Sequence, residues 1–564
     1  MKSEGTIETG AVNPVAERRD GRARKIIGHL VSLDGMHGTI ACEVDGDGQA
    51  EYWSVGNLIT VLHQNSRLVG VVCELSTLDR FWNPNGANKY LVKVELAGEI
   101  VEPEVGKPEF FRGIRSFPNL GSVAHRIRSS DLAAIYTVRG QEGVEIGRLT
   151  QNAAIAATVN IKELTSRHFA LVGSTGVGKS TAVSMLLKQC IRNQPHLRII
   201  IADPHNEYGR HFEKDAEMFD ADNLEIPYWM FRFDEISDII FSGRKPNSEE
   251  LDALYEVIRA AKTRFMTSSA GRLSETPGSI RRQAPTEATW ISADTPVPYR
   301  INDALQVIDE WMGKLDPRYA RADMRALRNR IETLSHDLRY RFMFGRLIVE
   351  DNLAKVLSQL FRLPMGNHPV TIVQLAGLPN EVVNSVVSVL ARLAFDVAAW
   401  SRGPYQVAFV CEEAHRYISS DTSAGFEPTR RAIGRIAKEG RKYGVSLGVV
   451  TQRPSELDPT VLSQCSTMFA MRLGNEKDKD IVGAASGVSK NGAIAFLSSL
   501  ADREAIAFGE AIATPMRMKF GDYRVFEQDR AHWAPRPRED VVQARAELKM
   551  IIARLRGEIP NDPS

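Results

Sequence analysis

A glycine-rich run that ends in a lysine and two hydroxyl residues carries the most specific chemistry in the sequence. Residues 169–181 read FALVGSTGVGKST, an apolar segment followed by the pattern GxxxxGK[ST]. Glycines let successive backbone N–H groups point at one phosphate, and a following helix adds its positive end. We therefore expect an ATP site in which Lys179 reaches the β- and γ-phosphates and Ser180 ligates Mg²⁺. The predicted nucleotide-binding residues are Gly173, Ser174, Thr175, Gly176, Val177, Gly178, Lys179, Ser180 and Thr181.

Two adjacent acids end a second apolar segment, VAFVCEEAH, at Glu412 and Glu413. Sites in parallel α/β sheets lie at the carboxyl ends of strands, and paired buried acids are costly unless they serve a cation or a proton. We expect Glu412 to join the Mg²⁺ shell and Glu413 to polarise the attacking water. The alternative is a solvated strand end.

Other polar residues follow neighbouring segments of the same kind. Thr451 and Gln452 end the segment VSLGVVTQ, and Gln452 is expected to sense the γ-phosphate or orient water unless the pair only caps the strand. Asp203 and Glu207 lie in the loop DPHNEY, which we expect beside the P-loop strand. They either couple nucleotide state to neighbour contacts or form a capped turn.

Basic residues concentrate on the helix that precedes the Thr451 strand. Arg441 is the candidate for an arginine offered to the γ-phosphate of a neighbouring subunit. The alternative is an ordinary solvated basic face. The face comprises Arg431, Arg435, Lys438, Arg441 and Lys442. A second stripe, formed by Arg318, Arg321, Arg325 and Arg328, either tracks DNA phosphates, is solvated, or pairs with acids on a neighbour.

Two sequence patterns predict the strands and helices that must position these residues. Residues 26–145 contain short β-like runs separated by Gly, Asp and Asn, which predicts a small antiparallel barrel or sandwich. From 146 to 525, continuous apolar strands alternate with helices, which predicts an α/β domain with a covered parallel sheet. A helical insertion is expected at about 245–362. Residues 1–25 are predicted to be a flexible tail, and 526–564 a linker and helix.

Composition excludes several classes of protein. The 564 residues are 43% hydrophobic and 25% charged, with a formal charge of +1, so a histone-like polycation or a disordered chain is excluded. Five scattered cysteines without a CxxC pair argue against a disulfide scaffold or zinc site. With no signal-like amino terminus and no run of about 18 uninterrupted apolar residues, we expect a cytoplasmic protein.

Together these motifs resemble the HerA branch of the HerA–FtsK translocase ATPases. The residues that carry the resemblance are GSTGVGKST (173–181), DPHNEY (203–208), CEEAH (411–415), IAKEGRKYGVSL (436–447) and TQRP (451–454). The resemblance implies a RecA-like P-loop ATPase core preceded by a small β-barrel. It further implies a homohexameric ring with ATP at subunit interfaces, duplex DNA in the pore, Glu413 as catalytic base and Arg441 acting in trans. Asn206, where Gly is commoner, and Glu412, where Asp is usual, depart from the family pattern.

Members of this family usually work with an effector, either a nuclease or a sirtuin-like NADase, in DNA end processing or antiphage defence. The leading hypothesis is therefore a ring-forming ATPase that moves double-stranded DNA. The alternative is an ATP-switched scaffold that assembles and activates an effector enzyme. A small-molecule kinase is a weaker third hypothesis, because such kinases are usually shorter and need no barrel.

Overall fold

The chain divides into two compact units, Met1–Ile135 and Tyr136–Ser564. The computed structural model describes residues 26–44, 54–78, 88–102, 108–136, 143–241, 244–272, 291–314, 321–345, 350–366, 368–403, 405–421, 426–486, 493–522, 524 and 540–558. The predicted tail at 1–25 lies outside these residues.

The first unit is a closed antiparallel barrel. Its strands are β1 (Ile26–Asp34), β2 (His37–Val44), β3 (Leu58–His63), β4 (Ser66–Thr77), β5 (Asn88–Val101), β6 (Glu109–Arg112) and β7 (Val123–Arg126), followed by helix α1 (Ser129–Tyr136). The strand order is β2-β1-β7-β3-β4-β5, the pairing of β2 with β5 closes the barrel, and β6 is added to β5. Alternate apolar residues such as Leu30, Ile40 and Val94 fill the interior, as the period-two pattern predicts.

The second unit is built on one mixed sheet of eleven strands in the described residues. These are β8 (Gly143–Leu149), β9 (Ala156–Asn160), β10 (His168–Val172), β11 (Leu197–Asp203), β12 (Ala216–Phe219), β13 (Val370–Gln374), β14 (Gln406–Cys411), β15 (Val445–Thr451), β16 (Cys465–Ala470), β17 (Glu504–Gly509) and β18 (Met516–Phe520). The order is β12-β13-β11-β14-β15-β10-β16-β17-β18-β8-β9. The strands from β12 to β16 in that order run parallel, whereas β17, β18, β8 and β9 pair antiparallel.

Helices cover this sheet and form the insertion. They are α2 (Ile161–Ser166), α3 (Lys179–Asn193), α4 (Phe233–Phe241), α5 (Ser248–Arg272), α6 (Ile301–Lys314), α7 (Arg321–His336), α8 (Arg341–Phe344), α9 (Leu353–Phe361), α10 (Asn380–Ser401), α11 (Glu427–Tyr443), α12 (Pro459–Gln464), α13 (Glu476–Ser486) and α14 (Val541–Leu555). Helices α5 to α9 are the predicted insertion, so the predicted fold class is confirmed. The predicted domain limits at 25, 145 and 525 stay predictions. The two units divide at 135/136, because β8 pairs with β9 and β18 in the larger sheet.

Helix α10 lies at the centre of the second unit. Its segment Val382–Ser401 is apolar and long enough to cross a membrane, but 89% of the most apolar window is buried inside the fold. The helix contacts α4, α11, α14 and β14. Burial on all sides explains why it is apolar all round.

Candidate nucleotide site

The glycine-rich loop joins the central strand β10 to the amino end of α3. Gly176 and Gly178 have φ values of 78° and 94°, a left-handed conformation that favours residues without a Cβ. Gly178 is the N-cap of α3 and supplies no side-chain cap, so the first N–H groups of the helix stay available to a phosphate. Two backbone bonds anchor the start of the loop, from Gly173 N–H to the Thr451 carbonyl (3.2 Å) and from Ser174 N–H to the Arg472 carbonyl (2.9 Å).

The lysine of the motif points into this loop, whereas the serine contacts the DPHNEY loop. Lys179 is buried, and its Nζ donates to the carbonyl of Ser174 at 3.2 Å. Ser180 Oγ donates to a carboxylate oxygen of Glu207. The structure thus brings the DPHNEY loop to the P-loop serine, although β14 and β15 lie between its strand β11 and the P-loop strand β10. Glu207 therefore lies beside the P-loop, as expected, and the contact is made by the loop and not by adjacent strands.

Asp203 organises that loop from inside. Its carboxylate accepts hydrogen bonds from the backbone N–H groups of His205 (3.3 Å), Glu207 (3.2 Å) and Tyr208 (3.1 Å). This is the capped turn that was one of the two expectations for Asp203. Asn206 supplies the left-handed residue of the turn, with φ 57°. The turn fixes the backbone on both sides of Glu207.

Glu412 directly follows strand β14 and is buried, with 2% of the residue exposed. Its carboxyl accepts a hydrogen bond from the hydroxyl of Tyr208, which is itself fully buried. Burial raises the pKa of Glu412 to about 8, with the Tyr208 hydrogen bond acting in the opposite direction. A solvated strand end, the alternative for this pair of acids, does not describe Glu412.

Glu413 follows in the left-handed conformation, with φ 50° and ψ 46°. It is also buried, and its Oε2 makes no hydrogen bond within the described structure. That oxygen lies 3.3 Å from Nδ1 of His415, which pairs with Thr451 Oγ at 3.0 Å. Burial lowers the pKa of His415, so the ring favours its neutral form. An unsatisfied buried carboxylate oxygen at a strand end is suited to accept a proton or a water hydrogen.

Gln452 reaches the P-loop from the end of β15. Its side-chain Oε1 accepts a hydrogen bond from the hydroxyl of Thr175, in the middle of the loop. Thr451 is fully buried and accepts a hydrogen bond from the N–H of Arg453 at 3.0 Å. Gln452 contacts the loop and Thr451 caps the strand end, while the role of Gln452 toward the γ-phosphate or water stays a prediction.

Arg441 lies in the last turn of α11 and is exposed, with no ion pair among the described residues. Other residues of the basic face are engaged within the chain. Arg435 lies 3.9 Å above the Phe395 ring and 3.7 Å from Asp396, and Arg431 lies 3.6 Å from Asp234. The expected solvated face therefore divides into anchored arginines and a free carboxyl-terminal end.

The second arginine stripe follows the acid-pairing alternative at one position. Arg328 pairs with Asp309 on α6 at 2.9 Å and with Glu332 at 2.8 Å. Arg321 donates to the carbonyl of Met312 at 3.4 Å. Arg318 lies outside the described residues.

Sequence reasoning missed Arg503, on the turn before β17. Its N–H donates to the carbonyl of Val177 at 2.9 Å, and its Cγ would lie 3.0 Å from a Cβ added to Gly178. Its φ of 63° is a conformation that non-glycine residues rarely adopt and that often marks functional sites. No sequence signal could have shown this approach, because no motif includes it and the hairpin that brings it is distant in the chain.

The oxygen ligands that the site offers fit a Mg²⁺ ion that is bound together with a nucleotide. No group of three or more His, Cys, Asp or Glu residues in the described part of the chain could hold a metal alone. Magnesium needs no such cage, since it is usually bound through one or two protein oxygens, phosphates and water. Ser180, Glu207 and Glu412 offer such oxygens.

The five cysteines are free, and burial raises the pKa of the Cys42 and Cys73 thiols to about 11.

Fold and site together define a P-loop protein with a RecA-like core. Residues 144–394 match the family model described as "Helicase HerA, central domain". Over this span the chain is similar to the HerA family of DNA helicases.

Curated relatives extend the similarity beyond the central domain. The chain is 26% identical over 439 residues to the DNA double-strand break repair helicase HerA of Pyrococcus furiosus, covering 72% of this chain and 73% of that protein. It is 23% identical over 490 residues to the same-named helicase of Sulfolobus acidocaldarius, covering 83% and 88%.

Solved structures with partial likeness include VirB4 of Thermoanaerobacter pseudethanolicus, at 16% identity and a TM-score of 0.46, covering 68% of this chain and 97% of that one. The plasmid coupling protein TrwB in complex with ADP and Mg²⁺ has 12% identity and a TM-score of 0.44, covering 70% and 93%.

Proposed function

We propose that this chain hydrolyses Mg·ATP within a homo-oligomeric, hexameric ring and uses the energy to move double-stranded DNA. The observation that carries the proposal is the convergence of three elements on one edge of the sheet. The P-loop, the unsatisfied carboxylate of Glu413 and the amide of Gln452 come from β10, β14 and β15, and Gln452 is hydrogen-bonded to the P-loop itself. Similarity to the HerA family supports a DNA-handling ATPase.

Each residue has a defined task in this mechanism. The Lys179 ammonium and the N–H groups at the start of α3 bind the phosphates and orient the γ-phosphoryl group. Mg²⁺, when bound with ATP, neutralises charge that develops on the β- and γ-phosphates. Glu413 accepts a hydrogen from the attacking water, and Gln452 holds that water or the γ-phosphate in line. The role of catalytic base fits Glu413 better than Glu412, because the Glu412 carboxyl is already bound by Tyr208.

Arg441 is proposed to act on the ATP bound by a neighbouring subunit. Its exposure at the end of α11 supports this role, since an arginine engaged by internal acids would not be available. The guanidinium would stabilise charge on the γ-phosphoryl group as the bond to the leaving phosphate breaks, which in other P-loop enzymes accelerates hydrolysis by about 10³–10⁵-fold.

DNA, an effector and a cytoplasmic location complete the proposal. The HerA relatives are named as repair helicases, which supports duplex DNA as the substrate on which the motor acts. A nuclease or sirtuin-like NADase partner, in end processing or antiphage defence, is proposed from the family resemblance.

Hydrolysis by the purified protein, measured with Mg²⁺ and with or without linear duplex DNA, tests the function. We expect the rate to rise when DNA is added and to vanish in Lys179→Ala. A DNA-independent rate would favour the ATP-switched scaffold. Native mass measurement shows whether the ring forms a stable complex with its co-expressed effector. An effector assay on that complex carrying Lys179→Ala then separates the two functions, because only a scaffold would keep effector activity.

A further inference from the structure

We infer that Glu207 is the carboxylate that holds the Mg²⁺ of Mg·ATP beside Ser180, an inference that rests on the proposed ATP binding. Ser180 is the P-loop residue whose hydroxyl ligates the metal in such sites. Its Oγ donates directly to a Glu207 carboxylate oxygen. Because the Glu207 carboxylate contacts the Ser180 hydroxyl, a Mg²⁺ ion bound by that hydroxyl would lie within reach of Glu207 as a second protein ligand.

The loop is built to keep Glu207 at this place. Its own N–H and that of Tyr208 donate to the buried carboxylate of Asp203, so the backbone is fixed immediately before and after the side chain. Asn206, in the left-handed conformation, turns the chain just ahead of it. Glu207 is half-buried between the exposed Asn206 and the fully buried Tyr208. The carboxylate can therefore exchange the Ser180 hydrogen bond for a cation without rearrangement of the backbone.

The acid that the motif suggests for the metal is differently placed. Glu412 has 2% of its surface exposed, and the buried Tyr208 hydroxyl donates to its carboxyl. Tyr208 is the residue next to Glu207, so one loop delivers a hydroxyl to Glu412 and a carboxylate to Ser180. The geometry assigns Glu412 to holding the loop and Glu207 to the cation.

A substitution at Glu207 is expected to affect nucleotide affinity differently with and without Mg²⁺. The carboxylate repels a bare triphosphate but attracts the hard cation that accompanies it. Glu207→Gln should therefore bind a fluorescent non-hydrolysable ATP analogue in EDTA as tightly as wild type, or more tightly. The gain in affinity on adding Mg²⁺ should fall by about tenfold or more, in the range found when residues supporting a metal site are removed.

The experiment measures the dissociation constant of the analogue in EDTA and in Mg²⁺ at constant ionic strength. Glu213→Gln is the matched control, an exposed glutamate that follows the same loop, and should keep the full gain. Glu207→Asp, which keeps a shorter carboxylate, should retain part of it. Binding of Mn²⁺ in the presence of the analogue, followed by electron paramagnetic resonance, should weaken in Glu207→Gln in parallel.

Two results would overturn the inference and leave the proposed ATPase standing. Either Glu207→Gln keeps the full Mg²⁺-dependent gain, or Glu412→Gln loses it while Glu207→Gln does not. If wild type binds no nucleotide in either buffer, the proposed function itself fails and the inference falls with it. Binding of the analogue in EDTA at least as tight as that of wild type shows that each variant is folded.

Discussion

Replacing Glu413 with glutamine separates catalysis from binding in this site. Glutamine has nearly the same shape as glutamate, so it fits the buried position at the end of β14 and can adopt the same left-handed backbone. The Lys179 side chain and the N–H groups of α3 that hold the phosphates come from another strand-to-helix connection and are not disturbed. We expect Glu413→Gln to bind ATP as wild type does and to lose turnover.

The size of the loss follows from what the carboxylate does. Its Oε2 has no hydrogen bond in the described structure, so the proton-accepting capacity of that oxygen is free for the attacking water. An amide at the same place cannot accept the proton. Removing a positioned general base costs about 10²–10⁴-fold in rate, which corresponds to about 3–6 kcal/mol of transition-state stabilisation at about 1.4 kcal/mol per tenfold.

Single-turnover hydrolysis at saturating Mg·ATP measures this loss directly, because the observed rate then no longer depends on nucleotide affinity. The dissociation constant of a fluorescent ATP analogue is measured on the same samples, and Glu213→Gln, an exposed glutamate, is the control. A rate within about threefold of wild type, with normal binding, would refute the assignment of Glu413 as the base.

The remaining predictions concern the neighbouring subunit and the core. Arg441→Ala should abolish hydrolysis while leaving nucleotide affinity unchanged, and mixing it with Glu413→Gln should restore part of the rate, because some interfaces then combine an intact base with an intact arginine. If no mixing ratio restores hydrolysis, the arginine does not act in trans. Glu235→Gln should lower the free energy of unfolding by about 3–5 kcal/mol, since it leaves the buried Arg392, at 3.0 Å, without its main counter-ion. The control Glu256→Gln, at a half-buried surface ion pair with Arg259, should cost at most about 1 kcal/mol in the same urea titration, and equal costs would contradict the reasoning.

Much of the fold is encoded in local patterns. Short β-like runs predicted the antiparallel barrel of β1 to β5, and continuous apolar runs predicted the parallel strands β10, β11, β13, β14 and β15, whereas the parallel strands β12 and β16 were not predicted. The antiparallel strands β17, β18, β8 and β9 were not predicted. They extend the sheet through pairings such as β18 with β8, between segments far apart in the chain, which no local pattern reports.

In the candidate site, too, some residues could be predicted from local sequence, whereas others depend on long-range contacts. Residues that follow a strand directly, such as Glu413 and Gln452, could be predicted, because a strand end fixes the position of the next side chain. Glu207 and Arg503 reach the P-loop through a turn and a hairpin, so their places depend on contacts that only the folded chain makes.

The DPHNEY loop shows why one motif can serve two strands. Asp203 ends β11, which pairs with β14, so Tyr208 in the loop meets Glu412 at the end of that neighbouring strand. Glu207, one residue earlier, reaches Ser180 on the helix that follows β10. Ser180 and Glu412 are therefore connected through two adjacent residues of one turn. Because Glu413 follows Glu412 directly, this turn links the P-loop serine to the residue proposed as the base.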